Sequence, residues 1–117
     1  MTRLQEYLRE DGTSPYQTWF DSLNCGAAVQ AAKAAAKMAL GHVGNMKSLQ
    51  EGVHEYRIDY GPGYRIYVGL DGADLIILLG GGDKSRQDRD IAEAKRLWAE
   101  FKRRKEAQKA SRRTRRH

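Results

Sequence analysis

The chain of 117 residues, with 40% hydrophobic and 31% charged residues, is long enough for one globular domain with a modest core. It lacks the run of about 20 apolar residues that a membrane span needs, and its N-terminus has no apolar signal-peptide segment. A cytoplasmic protein is therefore expected. The single cysteine, Cys25, excludes an internal disulfide and a cysteine metal cluster.

The net charge of +6 is concentrated at the C-terminus. Residues 102–117 carry nine of the 21 Lys and Arg residues and one Glu, a local charge of +8, and the rest of the chain is close to neutral at −2. Such a tail suits a phosphate-rich partner. Charge alone is equally compatible with a solvated end that has no partner. Residues 103–117 lack the apolar stripe that ends at Phe101, so with or without a partner they are expected to contribute little to folding.

The first predicted element is a short edge strand, Leu4–Leu8, which precedes the turn residues Asp11–Thr13. A helix then begins after Ser14, because serine can cap a helix and Pro15 fits the first helical position. Gln17, three residues after the cap, completes a capping-box pattern. The apolar residues that follow recur at helical spacing and form one face: Tyr16, Trp19, Phe20 and Leu23.

A second helix is predicted over the alanine-rich segment Ala27–Leu40, with Asn24 as its N-cap and Gly41 at its end. Its small side chains allow a sheet or another helix to approach closely, so the segment is interpreted as packing. The glycine-containing stretch Gly41–Gly52 is predicted to be a loop.

Three strands are predicted next, at Val53–Tyr60, Tyr64–Leu70 and Asp74–Leu79, separated by Gly61-Pro62-Gly63 and by the hairpin signal Asp71-Gly72. The third strand is apolar on both faces, as in a strand that is covered from both sides. The three form an antiparallel meander.

The last helix is predicted to begin near Ser85. Its apolar stripe consists of Ile91, Ala94, Leu97, Trp98 and Phe101. The order of the elements predicts an α+β domain: strand, two helices, three-strand antiparallel meander and C-terminal helix.

The stretch LLGGGDKSRQDRD, residues 78–90, has the glycines and the lysine of a phosphate-binding loop. A P-loop, however, needs Gly-Lys-Ser/Thr in direct succession, and here Asp83 separates Gly82 from Lys84. ATP binding is therefore not expected. Lys84 and Arg86 nevertheless follow this glycine turn where a strand ends and a helix begins, a position whose free N–H groups favour anions.

Polar residues share one face of two adjoining predicted strands. Alternation places Glu55 and Arg57 of one strand on the same side as Arg65 and Tyr67 of the next. A solvated outer face with cross-strand Glu–Arg pairs is the more common cause of such a pattern. The three histidines lack metal-ligand spacing, and Cys25 has no nearby histidine, so a metal site or a cysteine nucleophile is not expected.

Together, GVHEYRIDYGPGYRIYVGL and LIILLGGGDKSRQDRDIAEAKRLW resemble the RelE/HigB superfamily of toxins from type II toxin–antitoxin modules, in particular the branch of addiction-module killer proteins. The resemblance covers roughly Leu4–Lys102, including the helix SPYQTWFDSL. It divides the chain into a RelE-like toxin domain, residues 1–102, and a basic C-terminal tail, residues 103–117.

The resemblance implies a ribonuclease that cuts mRNA, commonly on the ribosome, and that a cognate antitoxin, expected to contain a helix-turn-helix, neutralises. Arg57, Arg65 and Lys84 match the basic positions that carry catalysis in such families. Four further candidates for catalysis or RNA binding are Tyr67, Arg86, Gln87 and Lys47. In the tail, the residues expected to bind RNA are Arg103, Arg104, Lys105, Arg112 and Arg113.

The residues themselves agree with RNA cleavage by the 2′-OH, which needs a base, cations for the phosphorane and an acid for the 5′-oxygen. Arg57 and Arg65 would supply planar forks to the phosphate, Lys84 would take the 2′-OH proton, and Tyr67 or Arg86 would donate to the leaving oxygen. No metal or cofactor is needed. Since Arg65 and Lys84 are expected at exposed positions, replacing either should spare the fold.

Two other functions stay open on sequence grounds. One is a non-catalytic RNA- or DNA-binding module in which the sheet arginines and the tail only bind. The other is an inactive toxin homologue that serves as a protein-interaction partner. Expression without an antitoxin separates them, because growth arrest with cleaved transcripts fits only an active toxin.

Overall fold

The computed structural model describes residues 2–115, and the side chains of residues 2–112. The strands are β1 (Arg3–Glu6), β2 (Met46–Ser48), β3 (Val53–Ile58), β4 (Tyr64–Asp71) and β5 (Leu75–Asp83). The helices are α1 (Pro15–Asp21), α2 (Cys25–Ala39) and α3 (Gln87–Arg115), with a 3₁₀ turn at Lys84–Arg86. The predicted α+β class is confirmed.

The five strands form one mixed sheet in the order β1-β5-β4-β3-β2. β1 lies at one edge and pairs in parallel with β5, whereas β3, β4 and β5 form the predicted antiparallel meander. The prediction that Gly41–Gly52 is only a loop is wrong, because β2 lies within it and pairs with β3. Three residues carry too little pattern to identify a strand, and β2 is held by its partner.

The caps of α1 and α2 show how the local sequence begins each helix. Ser14 Oγ accepts a hydrogen bond from the Gln17 backbone N–H at 3.0 Å, and Asn24 Oδ1 accepts one from the N–H of Ala27 at 2.8 Å. The second half of the predicted capping box is not formed. The Gln17 side chain instead donates to Asp21 Oδ1, one turn further along α1, at 2.7 Å.

Helices cover both faces of the sheet. α1 and α2 pack on one face, whose buried cluster contains Tyr16, Met38, Tyr56, Ile58, Ile66, Val68, Ile76 and Leu78. α3 packs on the other, whose buried cluster contains Tyr7, Val53, Tyr67, Ile77, Leu79, Ala94, Leu97 and Trp98. Consecutive residues of β5 thus enter both clusters, which confirms the prediction that this strand is covered from both sides.

The three glycines that were predicted to form a turn belong to β5, which continues to Asp83. At two of them, Gly81 and Gly82, the lack of a side chain serves packing. A Cβ at Gly81 would overlap the Trp19 ring of α1, and a Cβ at Gly82 would overlap the Asp90 carboxylate of α3. β5 can continue between the two helices because its backbone is bare at these positions.

α3 is the longest element and runs without a break through the predicted boundary between toxin domain and basic tail. The first part of the helix lies on the sheet, with Trp98 seated over Gly69. From residue 106 to residue 112 every side chain is exposed. Within residues 2–115, none of the helices combines the length and the apolar character needed to cross a membrane.

Candidate functional site

Three of the cations predicted from the sequence line one open cleft of about 540 Å³. Arg57 at the end of β3 lies directly opposite Arg65 on β4, and Lys84 follows the last residue of β5. The rest of the lining consists of the turn Gly61-Pro62-Gly63, the polar residues Asn45 and Asp59, and the larger side chains of Ile58 and Tyr64. The fold therefore brings the three residues together where the meander ends and the last helix begins.

Each of the three cations has a different environment. Arg57 is exposed, Arg65 is only 5% exposed, and Lys84 is exposed on the 3₁₀ turn. The stem of Lys84 passes over the turn between β3 and β4, where a Cβ at Gly63 would stand 3.9 Å from Lys84 Cε. Gly63 has a φ of 85°, which favours glycine over other residues.

Arg65 is held by a buried carboxylate. Its Nε lies 3.2 Å from Glu55 Oε2, and the two side chains are 7% and 3% exposed. The contact is an ion pair and not a hydrogen bond, and both atoms lack a hydrogen-bond partner among the described residues. The polar face was interpreted as solvated, but α3 covers this part of it. The expectation that replacing Arg65 spares the fold therefore loses its basis.

The 3₁₀ turn that precedes α3 is capped by a negative charge. Asp83 Oδ1 accepts hydrogen bonds from the backbone N–H and the hydroxyl of Ser85, at 2.8 and 2.6 Å. These hydrogen bonds hold the pKa of the Asp83 carboxyl below its ordinary value. Because a carboxylate already occupies this N-terminal position, the cations of the side chains, rather than free N–H groups, give the cleft its positive character.

Tyr67 does not lie at the cleft, although the sequence made it a candidate proton donor. It is 1% exposed between β4 and α3, and its hydroxyl has no hydrogen-bond partner among the described residues. Burial, together with the nearby Asp90 and Glu55 carboxylates, raises its pKa to about 12. It borders a small cavity of about 100 Å³ shared with Asp90. A buried phenol with this pKa is poorly placed to protonate a leaving group.

The other candidates lie around the cleft. Arg86 and Gln87 line a shallow neighbouring groove that shares Lys84 with the cleft. Lys47 is exposed on the edge strand β2, directly opposite Glu55 in the register. Lys47 thus shares the sheet face of the arginines without lining the cleft.

The basic tail continues α3, and its first residues pack on the folded domain. The Arg104 guanidinium lies 4.9 Å from the centroid of the Tyr7 ring and donates a hydrogen bond to the Leu8 carbonyl at 2.9 Å. Lys105 pairs with Asp71 of β4. These contacts join the first residues of the tail to the folded domain.

The other residues of the tail that were expected to bind RNA are described to different extents. Arg103 and Arg112 are exposed. For Arg113 the structure describes the backbone alone, and its predicted RNA contact lies outside the described side chains. Residues 116 and 117, the end of the predicted tail, lie outside the described residues as well.

Sequence reasoning missed two residues of the cleft and the role of a third. Asn45 and Asp59 line the cleft, and Glu55 is the buried partner of Arg65. Alternation had placed Glu55 beside the arginines, an arrangement that is also found in surface ion pairs. Only the burial of Glu55 under α3 distinguishes its pair with Arg65 from a pair at the surface. Within the described part of the chain, no group of three or more His, Cys, Asp or Glu residues is arranged to hold a metal ion.

No protein-family model matches the chain. An uncharacterized protein of Haemophilus influenzae is 40% identical to it over 90 residues, which cover 76% of this chain and 91% of that protein. The chain belongs to the same family as this Haemophilus protein.

Proposed function

We propose that this protein is a RelE-like mRNA interferase, the toxin of a type II toxin–antitoxin module. It would act in the cytoplasm on mRNA, on the ribosome, and be neutralised by a cognate antitoxin with a helix-turn-helix. The proposal is supported above all by the cleft in which Arg57, Arg65 and Lys84 converge. Three cations in one open cleft fit a phosphodiester better than they fit a neutral ligand.

The chemistry follows from the position of each cation. Arg57 and Arg65 stand opposite each other, so a phosphate between them would receive planar donor groups from two sides. Their charge would stabilise the phosphorane formed when the 2′-oxygen bonds to phosphorus. Glu55 would keep Arg65 in place through the ion pair at the Arg65 Nε.

The proton then has to move from the 2′-OH to the 5′-oxygen. Lys84 in its neutral form would accept it, and the resulting ammonium would return it as the bond from phosphorus to the 5′-oxygen breaks. Arg86 in the next groove would hold the charge on the leaving oxygen. The products are a 2′,3′-cyclic phosphate and a 5′-hydroxyl, and no metal takes part in these steps.

Expression in a host without the antitoxin tests this proposal. Growth arrest with cleaved transcripts is expected for the parent. Arg57→Ala and Lys84→Ala remove exposed side chains and should fold, yet slow cleavage by about a hundredfold or more, because each removes a contact to the reacting phosphate. Lys33→Ala, an exposed lysine of α2, is the matched control.

Two outcomes would reject the proposed activity. If both cleft variants arrest growth as fast as Lys33→Ala, the cleft is not the active site. If the purified parent binds RNA but cuts none, either free or on ribosomes, the protein is a binding module.

A further inference from the structure

The groove that shares Lys84 with the cleft contains an arginine to which the proposed reaction gives no role. This groove measures about 470 Å³ and follows the 3₁₀ turn into the first residues of α3. Its lining consists of Lys84, Ser85, Arg86, Gln87, Asp88 and Arg89, and it is called the Arg89 groove below. Arg89 lines this groove and not the cleft.

The Arg89 groove carries more positive than negative charge. Asp88 is the one acid among its six lining residues, and three of the others are exposed cations: Lys84, Arg86 and Arg89. Among the described residues, the side chains of these three cations form neither a hydrogen bond nor an ion pair. Further along α3, by contrast, Arg96 pairs with Glu93 and Glu100. The cations of the groove are therefore free to bind a phosphate, the anion that arginine and lysine commonly recognise.

The proposed reaction sets the direction in which an RNA strand would enter this groove. Arg86 would hold the charge on the leaving 5′-oxygen, and that oxygen belongs to the nucleoside on the 3′ side of the scissile phosphate. The strand would therefore continue in its 3′ direction past Arg86. Arg57 and Asn45, in contrast, line the cleft alone, so the 5′ part of the strand would lie on their side.

We propose that the Arg89 groove binds the next phosphate of the RNA on the 3′ side of the cleaved bond, an inference that rests on the proposed function. The planar guanidinium of Arg89 would donate two parallel hydrogen bonds to oxygens of this phosphate. Arg86 would stay at the leaving oxygen, and Lys84 at the 2′-OH. The RNA would thus cross the protein with a fixed polarity, its 5′ side at Arg57 and its 3′ side at Arg89. The preferred substrate is a bond inside a strand and not the last bond at a 3′ end.

Cleavage at one defined bond tests this polarity. The substrate is a short synthetic mRNA in which every ribose except one is 2′-O-methylated, so that only the bond after that ribose can be cut and the register is fixed. In two further substrates an uncharged methylphosphonate replaces the neighbouring phosphate, on the 3′ side in one and on the 5′ side in the other. kcat/KM is measured for all three, free and on ribosomes. The parent should cleave the 3′-substituted RNA about tenfold more slowly than the unsubstituted RNA, because charge-assisted hydrogen bonds are lost, and the 5′-substituted RNA at nearly the unsubstituted rate.

A matched pair of arginine variants assigns the effect to Arg89. Arg89→Ala should cleave the unsubstituted RNA about tenfold more slowly than the parent does. The 3′ methylphosphonate should then slow this variant no further, because one contact cannot be lost twice. Arg96→Ala removes an exposed arginine two turns further along α3, whose charge is already paired with Glu93 and Glu100. This control should keep the full tenfold effect of the 3′ methylphosphonate.

Three results would overturn the inference while the proposed function stands. The first is cleavage that neither methylphosphonate slows, and the second is a larger effect on the 5′ side than on the 3′ side. The third is an equal effect of the 3′ methylphosphonate in the parent and in Arg89→Ala. If the parent cuts none of the three RNAs, free or on ribosomes, the proposed function is refuted, and the polarity inferred from it as well.

Discussion

The two faces of the sheet are both covered by helices, but among the residues that the structure describes only one face buries charge. Under α1 and α2 the buried cluster contains no charged side chain. Under α3, by contrast, Glu55 and Arg65 lie beside the apolar cluster at 2% and 5% exposure. A buried ion pair contributes little net stability, since desolvation offsets the attraction. We infer that the α3 face keeps the pair because Arg65 must reach the cleft in a fixed position.

Removing one partner of the ion pair should give the largest loss of stability. Glu55→Ala leaves the Arg65 charge buried without a counter-charge, and the free energy of unfolding should fall by about 3–5 kcal/mol. Urea denaturation measures this. Glu51→Ala is the control, because the Glu51 side chain is 68% exposed in its pair with Lys95. If both variants lose a similar free energy of unfolding, burial of the Glu55–Arg65 pair does not contribute to the effect.

Replacing a glycine by alanine should destabilise the protein to a different extent on the two faces of the sheet. Gly69→Ala on the α3 face should destabilise by about 1–3 kcal/mol through overpacking, because its Cβ would overlap the buried Trp98. Gly81→Ala should cost less, since Trp19, the side chain that its Cβ would meet, is only partly buried. For Gly80→Ala nothing lies within 4 Å of the new Cβ, so thermal unfolding should change little. A Gly80→Ala loss as large as that of Gly69→Ala would contradict this order.

Tyr67, on the α3 face, should make the free energy of unfolding fall at alkaline pH. Its pKa of about 12 in the folded protein exceeds the ordinary value of 10.0. The stability that the neutral phenol contributes is therefore complete below pH 10 and is lost as the pH rises through 12. Between pH 9 and pH 11 the parent should lose about 1 kcal/mol relative to Tyr67→Phe. The buried tyrosines Tyr7 and Tyr16, present in both proteins, cancel in this difference.

At neutral pH, Tyr67→Phe should unfold at nearly the same urea concentration as the parent, because the hydroxyl that it removes has no partner among the described residues. Cleavage should also persist. Loss of cleavage in a stable Tyr67→Phe protein would restore this phenol as a proton donor.

A small effect is expected at the end of the α3 face. A chain that stops after Lys102 loses the Arg104 contacts with Tyr7 and Leu8 and the Lys105 pair with Asp71, at a cost of about 1 kcal/mol. A chain that stops after Gln108 keeps all of them and should melt like the parent. Calorimetry of both chains measures the difference, and equal melting temperatures would show that these contacts are too weak to matter.

Periodicity predicted the helices and the meander well, because the apolar spacing and the caps are local properties of the chain. It also placed Arg57 and Arg65 on one face. It did not predict that Arg65 and Tyr67 are buried, since alternation tells which residues share a face and not what covers that face. The apolar stripe of α3 required a partner surface, but the placement of α3 over Glu55 depends on the whole fold.

The three consecutive glycines of β5 also show that a local sequence pattern does not predict contacts between distant elements. Three glycines in sequence suggest a turn, because glycine is favoured where the backbone bends. In the structure they extend β5, as both sides of the strand are occupied by Trp19 and Asp90. A local propensity was overruled here by contacts between elements that are far apart in the chain.

Because α3 runs without a break, it sets the distance between the cleft and the cations near the C-terminus. The helix begins beside the cleft at Gln87, and at 1.5 Å per residue Arg112 lies about 38 Å further along its axis. The molecule is correspondingly elongated, 56 × 29 × 25 Å. A cation carried on a helix, unlike one on a flexible chain, stays at a nearly constant distance from the cleft. α3 therefore holds its C-terminal cations at a nearly fixed spacing from the cleft. A long nucleic acid that contacted both ends of α3 would be recognised by its shape, because the two contacts have a set separation.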